Sequence, residues 1–207
     1  MRRILANMFS YLFQPLLVPV YGFFLLAFDP HFVPYVPLLK VRFLLLAMLI
    51  LVVIPVAWYW LLRRLEIITT PQAERRNERF WAYLVTMVAY VVAWLLARHM
   101  RIETDYAFLF LSGAVALLIL TIVNFFWKMS AHALGMGAML GGILAVSLLQ
   151  GGNPVGLYTT FILLGGMVGS ARMELGAHTF RQVAAGYLTG LLSPALTLFV
   201  LLSDVKI

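Results

Sequence analysis

The sequence predicts an all-α protein, a polytopic transmembrane helical bundle of six to seven spans, and three observations lead there. Of its 207 residues, 63% are hydrophobic and only 11% are charged, too apolar a composition for a domain whose whole surface must be wet. The apolar residues fall in runs near the roughly 20 residues that a helix needs to cross a bilayer core. No strand-like alternation accompanies them, and a helix satisfies its own backbone inside lipid.

Seven candidate spans follow along the chain, at roughly 4–28, 43–62, 80–97, 106–127, 133–149, 155–171 and 180–202. The first runs on from Ile4 to Phe28 without the small-residue cleavage site of a secretory leader, so it reads as a span that stays. Pro15 and Pro19 within it, and Pro55 in the second, predict kinks, because proline removes an intrahelical donor. Trp58, Trp60, Trp81 and Trp127 fall near span ends and read as interfacial anchors. Spans five to seven are rich in small residues, Gly135, Gly137, Gly141, Gly186 and Gly190 among them, which predicts close helix contacts and a tighter C-terminal half. No repeat and no long linker divides the chain, so residues 1–207 read as a single integral membrane domain.

The chain holds no cysteine, which excludes thiolate catalysis and zinc–sulfur sites. Its formal net charge of +7 sits in the connections between apolar runs, where anionic lipid headgroups account for it without a nucleic-acid partner.

Those connections carry the functional information. Three are polar: "TTPQAERRNERF" (69–80), "WKMSAH" (127–132) and "ARMELGAHTFRQ" (171–182). Two spans separate each from the next, so all three are expected at the same end of the bundle, with the N-terminus. The opposite end offers "DPHFVPYVPLLK", "RHMRIETD" and "QGGNP", which assemble no comparable set; His31 and His99 there read as interfacial polar residues.

Arg79, Lys128 and Arg172 come from three different connections, and cations converging at headgroup level clamp a phosphate. His132 and His178 each stand at a new helix, where unpaired N–H groups and the helix dipole favour an anion. Two imidazoles beside a phosphate permit one to attack phosphorus while the other protonates the departing oxygen. Arg75 and Arg76 also fit a solvated loop with no part in such a site.

On these residues the chain resembles the phosphatidic acid phosphatase type 2 family, whose motifs K-x6-R-P, P-S-G-H and S-R-x5-H-x3-D occur in that order. Here they stand as "QAERRNERF" (72–80), "MSAH" (129–132) and "ARMELGAHTFRQ" (171–182), about 25 residues in all. The resemblance implies a membrane-embedded lipid phosphatase acting through a phosphohistidine, without metal or cofactor, on a phospholipid phosphate or a polyprenyl (di)phosphate. It also implies a bacterial inner membrane. It gives His178 the role of nucleophile and His132 that of acid, puts Gln182 where the family has its orienting aspartate, and assigns Arg79, Arg172 and Ser130 to the phosphate oxygens. Lys128 stands in for the first-motif lysine.

The pattern also departs from the family. Gln72 replaces that lysine, Phe80 a proline, and Met129, Ala131 and Ala171 replace proline, glycine and serine. Gln182 is the departure with a chemical consequence, because an amide oxygen accepts from imidazole but does not stabilise an imidazolium. This opens the alternative of a weakened or inactive member that binds lipid phosphate or a partner protein. Glu174 either supplies the missing carboxylate or pairs with Arg172. Ten lysines and arginines fall at the motif end against five opposite, yet without Arg79, Lys128 and Arg172 the margin is seven against five, so the side of the membrane stays open. A small transporter is a third reading, disfavoured because the spans hold polar residues such as Asn7, Gln14 and Asn124 but almost no ionisable ones.

Overall fold

A computed structural model describes residues 2–28, 41–42, 45–46, 48–69, 76–100 and 104–203. Within them the chain forms helices and no strand: α1 (Arg2–Leu12), α2 (Val18–Phe28), a π-helical turn (Leu49–Val53) running into α3 (Ile54–Arg64), α4 (Arg76–His99), α5 (Thr104–Phe126), α6 (Ala131–Gln150), α7 (Val155–Glu174) and α8 (Phe180–Ser203). Among the described residues, four stretches are long and apolar enough to cross a membrane, Glu78–His99, Ala107–Asn124, Ala131–Gln150 and Phe180–Leu201. That is compatible with an integral membrane protein.

The tightest contact is between α6 and α8. A side chain at Gly137 would run into the Tyr187 carbonyl, and one at Gly141 into that of Leu191; from the other helix, Gly190 faces the Leu134 carbonyl and Gly186 that of Ser130. Each helix therefore contributes two glycines four residues apart, and backbone meets backbone, as small-xxx-small spacing allows. The register is ascending on both sides, 130 with 186 and 134 with 190, so the two helices run parallel. Their N-termini then lie side by side, and the Ser130 N–H donates to the Gln182 carbonyl across the gap at 3.2 Å.

The N-terminal half is less regular, and here the sequence expectation needs correction. The first predicted span is not one kinked helix: it breaks over residues 13–17 around Pro15, while Pro19 falls in the first turn of α2, where a missing N–H costs nothing. Ahead of Pro55 the second span runs through a π-helical turn at Leu49–Val53, a common adjustment where the i→i−4 ladder is interrupted. α2 descends beside α6 in the same direction, with Val18 over Gly135 and Gly22 against Met139. α4 and α5 pack antiparallel through Ala89, Ala93 and Ala97 against Ala107, Phe110 and Ala114.

The alternation of directions brings the starts of α4, α6 and α8 and the ends of α5 and α7 to one end of the bundle. The described parts of all three polar connections lie there.

Candidate active site

Between the helices lies a cavity of about 1220 Å³. Its polar end is lined by Ser10, Arg79, Lys128, His132, Arg172 and His178. Its remainder runs between mostly apolar walls, with Asn7, Gln14, Thr86 and Ser112 among them, past Leu120 and Leu109 on α5 and down α6 to Ile143. Ile143 follows His132 by eleven residues, about 17 Å along a helix axis, so the cavity is long as well as charged at one end.

The chain places Arg172 and His178 together by a local device. Arg172 sits in the last turn of α7, not in the connection, and the helix ends in a Schellman motif. The Ala177 N–H donates back to the Arg172 carbonyl at 3.1 Å and the Gly176 N–H to that of Met173 at 2.9 Å. Gly176 holds the left-handed φ of +66° that this turn requires. The His178 N–H then also returns to the Arg172 carbonyl, at 3.3 Å. The five-residue gap is thus one helix cap and its reversal.

Gln182 lies three residues beyond Thr179, the residue before α8, and its Oε1 accepts from the Thr179 backbone N–H at 3.1 Å, one arm of a capping box. The same oxygen lies 3.3 Å from His178 Nδ1. A backbone N–H only donates, so the oxygen of the amide must face it, and Nδ1 must carry a hydrogen to meet that oxygen. Nε2 of His178 keeps its lone pair. Burial, with help from the positive Lys128 and Arg172 nearby, lowers the His178 pKa to about 4. The ring is neutral at physiological pH.

His132 lies in the first turn of α6, and its Nε2 is 3.2 Å from the Ser10 carbonyl and 3.5 Å from the Ser10 hydroxyl. A carbonyl cannot donate, and it is the nearer partner, so Nε2 carries the hydrogen and Nδ1 is the ring atom left for proton exchange. The Ser10 hydroxyl accepts from Arg172 Nη1 at 2.5 Å. Arg172 Nε is buried with no hydrogen-bond partner among the described residues, an unsatisfied charged donor on the guanidinium edge that takes an oxyanion. Arg79, in the first turn of α4, donates from Nε to Asn124 Oδ1 on α5 at 2.8 Å; Asn124 is itself buried.

Two expectations change. Ser130 is 0% exposed and does not line the cavity, because it is the N-cap of α6: its hydroxyl accepts from the Ala133 N–H at 3.3 Å and its own N–H goes to α8. Glu174 is exposed and, among the described residues, forms no ion pair with Arg172; it takes neither role considered for it. Gln72 and Arg75 lie outside the described residues.

Three contributors were not assigned to the site from the sequence. Ser10 and Asn124 carry no local signal. Glu78, buried beside Arg79, accepts from the Thr69 hydroxyl at 2.7 Å and N–H at 3.2 Å and so ties the incoming chain to the start of α4. The capping-box spacing of Thr179 and Gln182 was legible, and it fixes the Gln182 amide. Among the described residues no three His, Cys, Asp or Glu side chains gather as a metal-holding group.

Comparison of the chain with protein-family models, with curated proteins and with solved structures finds no match.

Proposed function

We propose that this chain is a membrane-embedded lipid phosphatase that hydrolyses a lipid phosphomonoester or diphosphate through a phosphohistidine on His178, as its resemblance to the phosphatidic acid phosphatase type 2 family implies. The observation that carries the reading is the cavity: residues 79, 128, 132, 172 and 178, from three regions far apart in sequence, line one charged end of a space whose other walls are mostly apolar. A phosphate with a hydrocarbon tail matches both parts. The unpartnered Arg172 Nε adds a donor that an oxyanion would satisfy. On this reading the bundle crosses a bacterial inner membrane six to seven times.

The chemistry follows from the ring atoms. The lone pair on His178 Nε2 forms the N–P bond as the bond from phosphorus to the lipid oxygen breaks, and that oxygen takes a proton from Nδ1 of His132, a step that requires His132 to enter it protonated. Water then attacks phosphorus, His132 recovers the proton, and the N–P bond breaks to release inorganic phosphate and free His178. Arg172, Arg79 and Lys128 stabilise charge on the non-bridging oxygens, with the paired starts of α6 and α8 adding their dipoles. The test is phosphate release by detergent-purified protein from phosphatidic acid, phosphatidylglycerol phosphate and polyprenyl diphosphate. Wild type should release phosphate from at least one and His178→Ala from none; equal release by both ends the reading.

A second reading, a member that binds lipid phosphate or a partner with little or no turnover, is favoured by one observation. The group orienting His178 is an amide, and in the serine-protease triad a carboxylate-to-amide change at the equivalent role costs about 10⁴ in turnover. Gln182→Glu keeps the reach to Nδ1 and restores the charge. Faster release identifies a weakened phosphatase; silence in both proteins, with orthovanadate still bound, identifies the binder.

A further inference from the structure

We propose that Ser10, carried by α1, is a positioning residue that sets both Arg172 and His132 for phosphate; the inference rests on the phosphatase reading above. Ser10 is separated from them by 162 and 122 residues, yet it is buried against both. It uses two different groups. Its hydroxyl takes one hydrogen of Arg172 Nη1, and its carbonyl takes the hydrogen of His132 Nε2.

Each contact removes a freedom that the chemistry cannot tolerate. A guanidinium held at Nη1 turns about its own plane less, and the edge that remains contains the buried Nε. The oxyanion then meets a donor pair already aimed. An imidazole whose Nε2–H is held by a carbonyl has its tautomer fixed, and the atom left to protonate the lipid oxygen is Nδ1. A second-layer partner of this kind orients the group that touches substrate without touching it.

α1 is suited to the task. Its 11 residues span about 17 Å, too short to cross a bilayer core alone. Ala6 and Ser10, one helical turn apart, form its buried side, while Ile4, Met8 and Tyr11 are exposed. It packs along α7, the helix that carries Arg172, and the break that follows it lets α2 descend beside α6.

Ser10→Ala removes the hydroxyl and keeps the carbonyl. The expected result is a KM for lipid phosphate and a dissociation constant for orthovanadate raised about tenfold, the loss of one hydrogen bond to a charged group, with kcat changed far less. Ser10→Thr, which retains the hydroxyl, should recover most of the binding. Ser147→Ala, which deletes a buried hydroxyl bonded only to its own helix at the Ile143 carbonyl, controls for general loss of packing and should leave both constants unchanged. Wild-type affinity in Ser10→Ala, or a loss that Ser10→Thr fails to recover, overturns the role of Ser10 and leaves the phosphatase reading standing. A wild-type protein that neither releases phosphate nor binds orthovanadate overturns both.

Discussion

The two halves of the bundle are held by different means. α6 and α8 meet backbone to backbone at Gly137, Gly141, Gly186 and Gly190. The N-terminal half breaks its first span at residues 13–17, passes through a π-turn before Pro55, and joins α4 to α5 through alanines and Phe110. The division matches what each half contributes. The close-packed pair carries His132 at the start of α6 and anchors His178 two residues ahead of α8, and their separation must be fixed if one is to attack and the other to protonate. The irregular half contributes Ser10 and Arg79, together with much of the cavity wall.

The largest effect should come from prising the regular pair apart. Gly137→Ala and Gly190→Ala each place a methyl where a backbone carbonyl already stands. Overpacking of this kind costs about 1–3 kcal/mol, a fall in Tm of roughly 2–10 °C for a chain of this size. Phosphate release should drop by about 100-fold as the histidines separate. Gly166→Ala, which would enter open space, should match wild type in both. Equal behaviour of all three variants would dissolve the contrast between the halves.

A pH profile sharpens the comparison at the histidine itself. With its pKa lowered to about 4, His178 stays neutral as pH falls through 6.5 and is lost as a nucleophile only near pH 4. The acid limb of kcat/KM, which reports the free enzyme, should therefore lie near 4. At pH 5 the activity should be about 30-fold above that of a ring titrating at the ordinary 6.5. An acid limb near 6.5 assigned to His178 would mean that the ring is better solvated than the packing indicates.

The smallest effect belongs to the irregular half. Asn124→Leu removes the acceptor that holds Arg79 Nε and should raise KM about tenfold, with Tm moved little beyond the cost of a buried polar-to-apolar exchange. An unchanged KM would show that Arg79 needs no support from α5.

The sequence made part of this legible, for identifiable reasons. Run length and composition give the helical class, and glycine spacing gives the close pair, because both are local properties. Counting spans between polar connections gives their meeting at one end. The pairing of Gln182 with His178 follows from four-residue spacing. Ser10 and Asn124 were illegible because their partners are 122, 162 and 45 residues away, and in the largely apolar α5 hydropathy marks no face for Asn124. Ser130 was misassigned for a related reason: a serine before a helix suits a phosphate ligand and an N-cap equally, and only its burial behind α8 decides. The break at Pro15 was read as a kink because proline alone does not say whether neighbouring helices will hold the chain straight.

The central claim is that side chains from far-separated segments grip one oxyanion with His178 Nε2 aimed at its centre. An experimental structure of the protein with orthovanadate tests it most directly. The account predicts vanadium beside His178 Nε2, with oxygens on the Nε edge of Arg172 and within reach of Arg79 and His132 Nδ1. Vanadate bound elsewhere, or a His178 ring turned out of the cavity with Arg172 Nε still unpartnered, would contradict it.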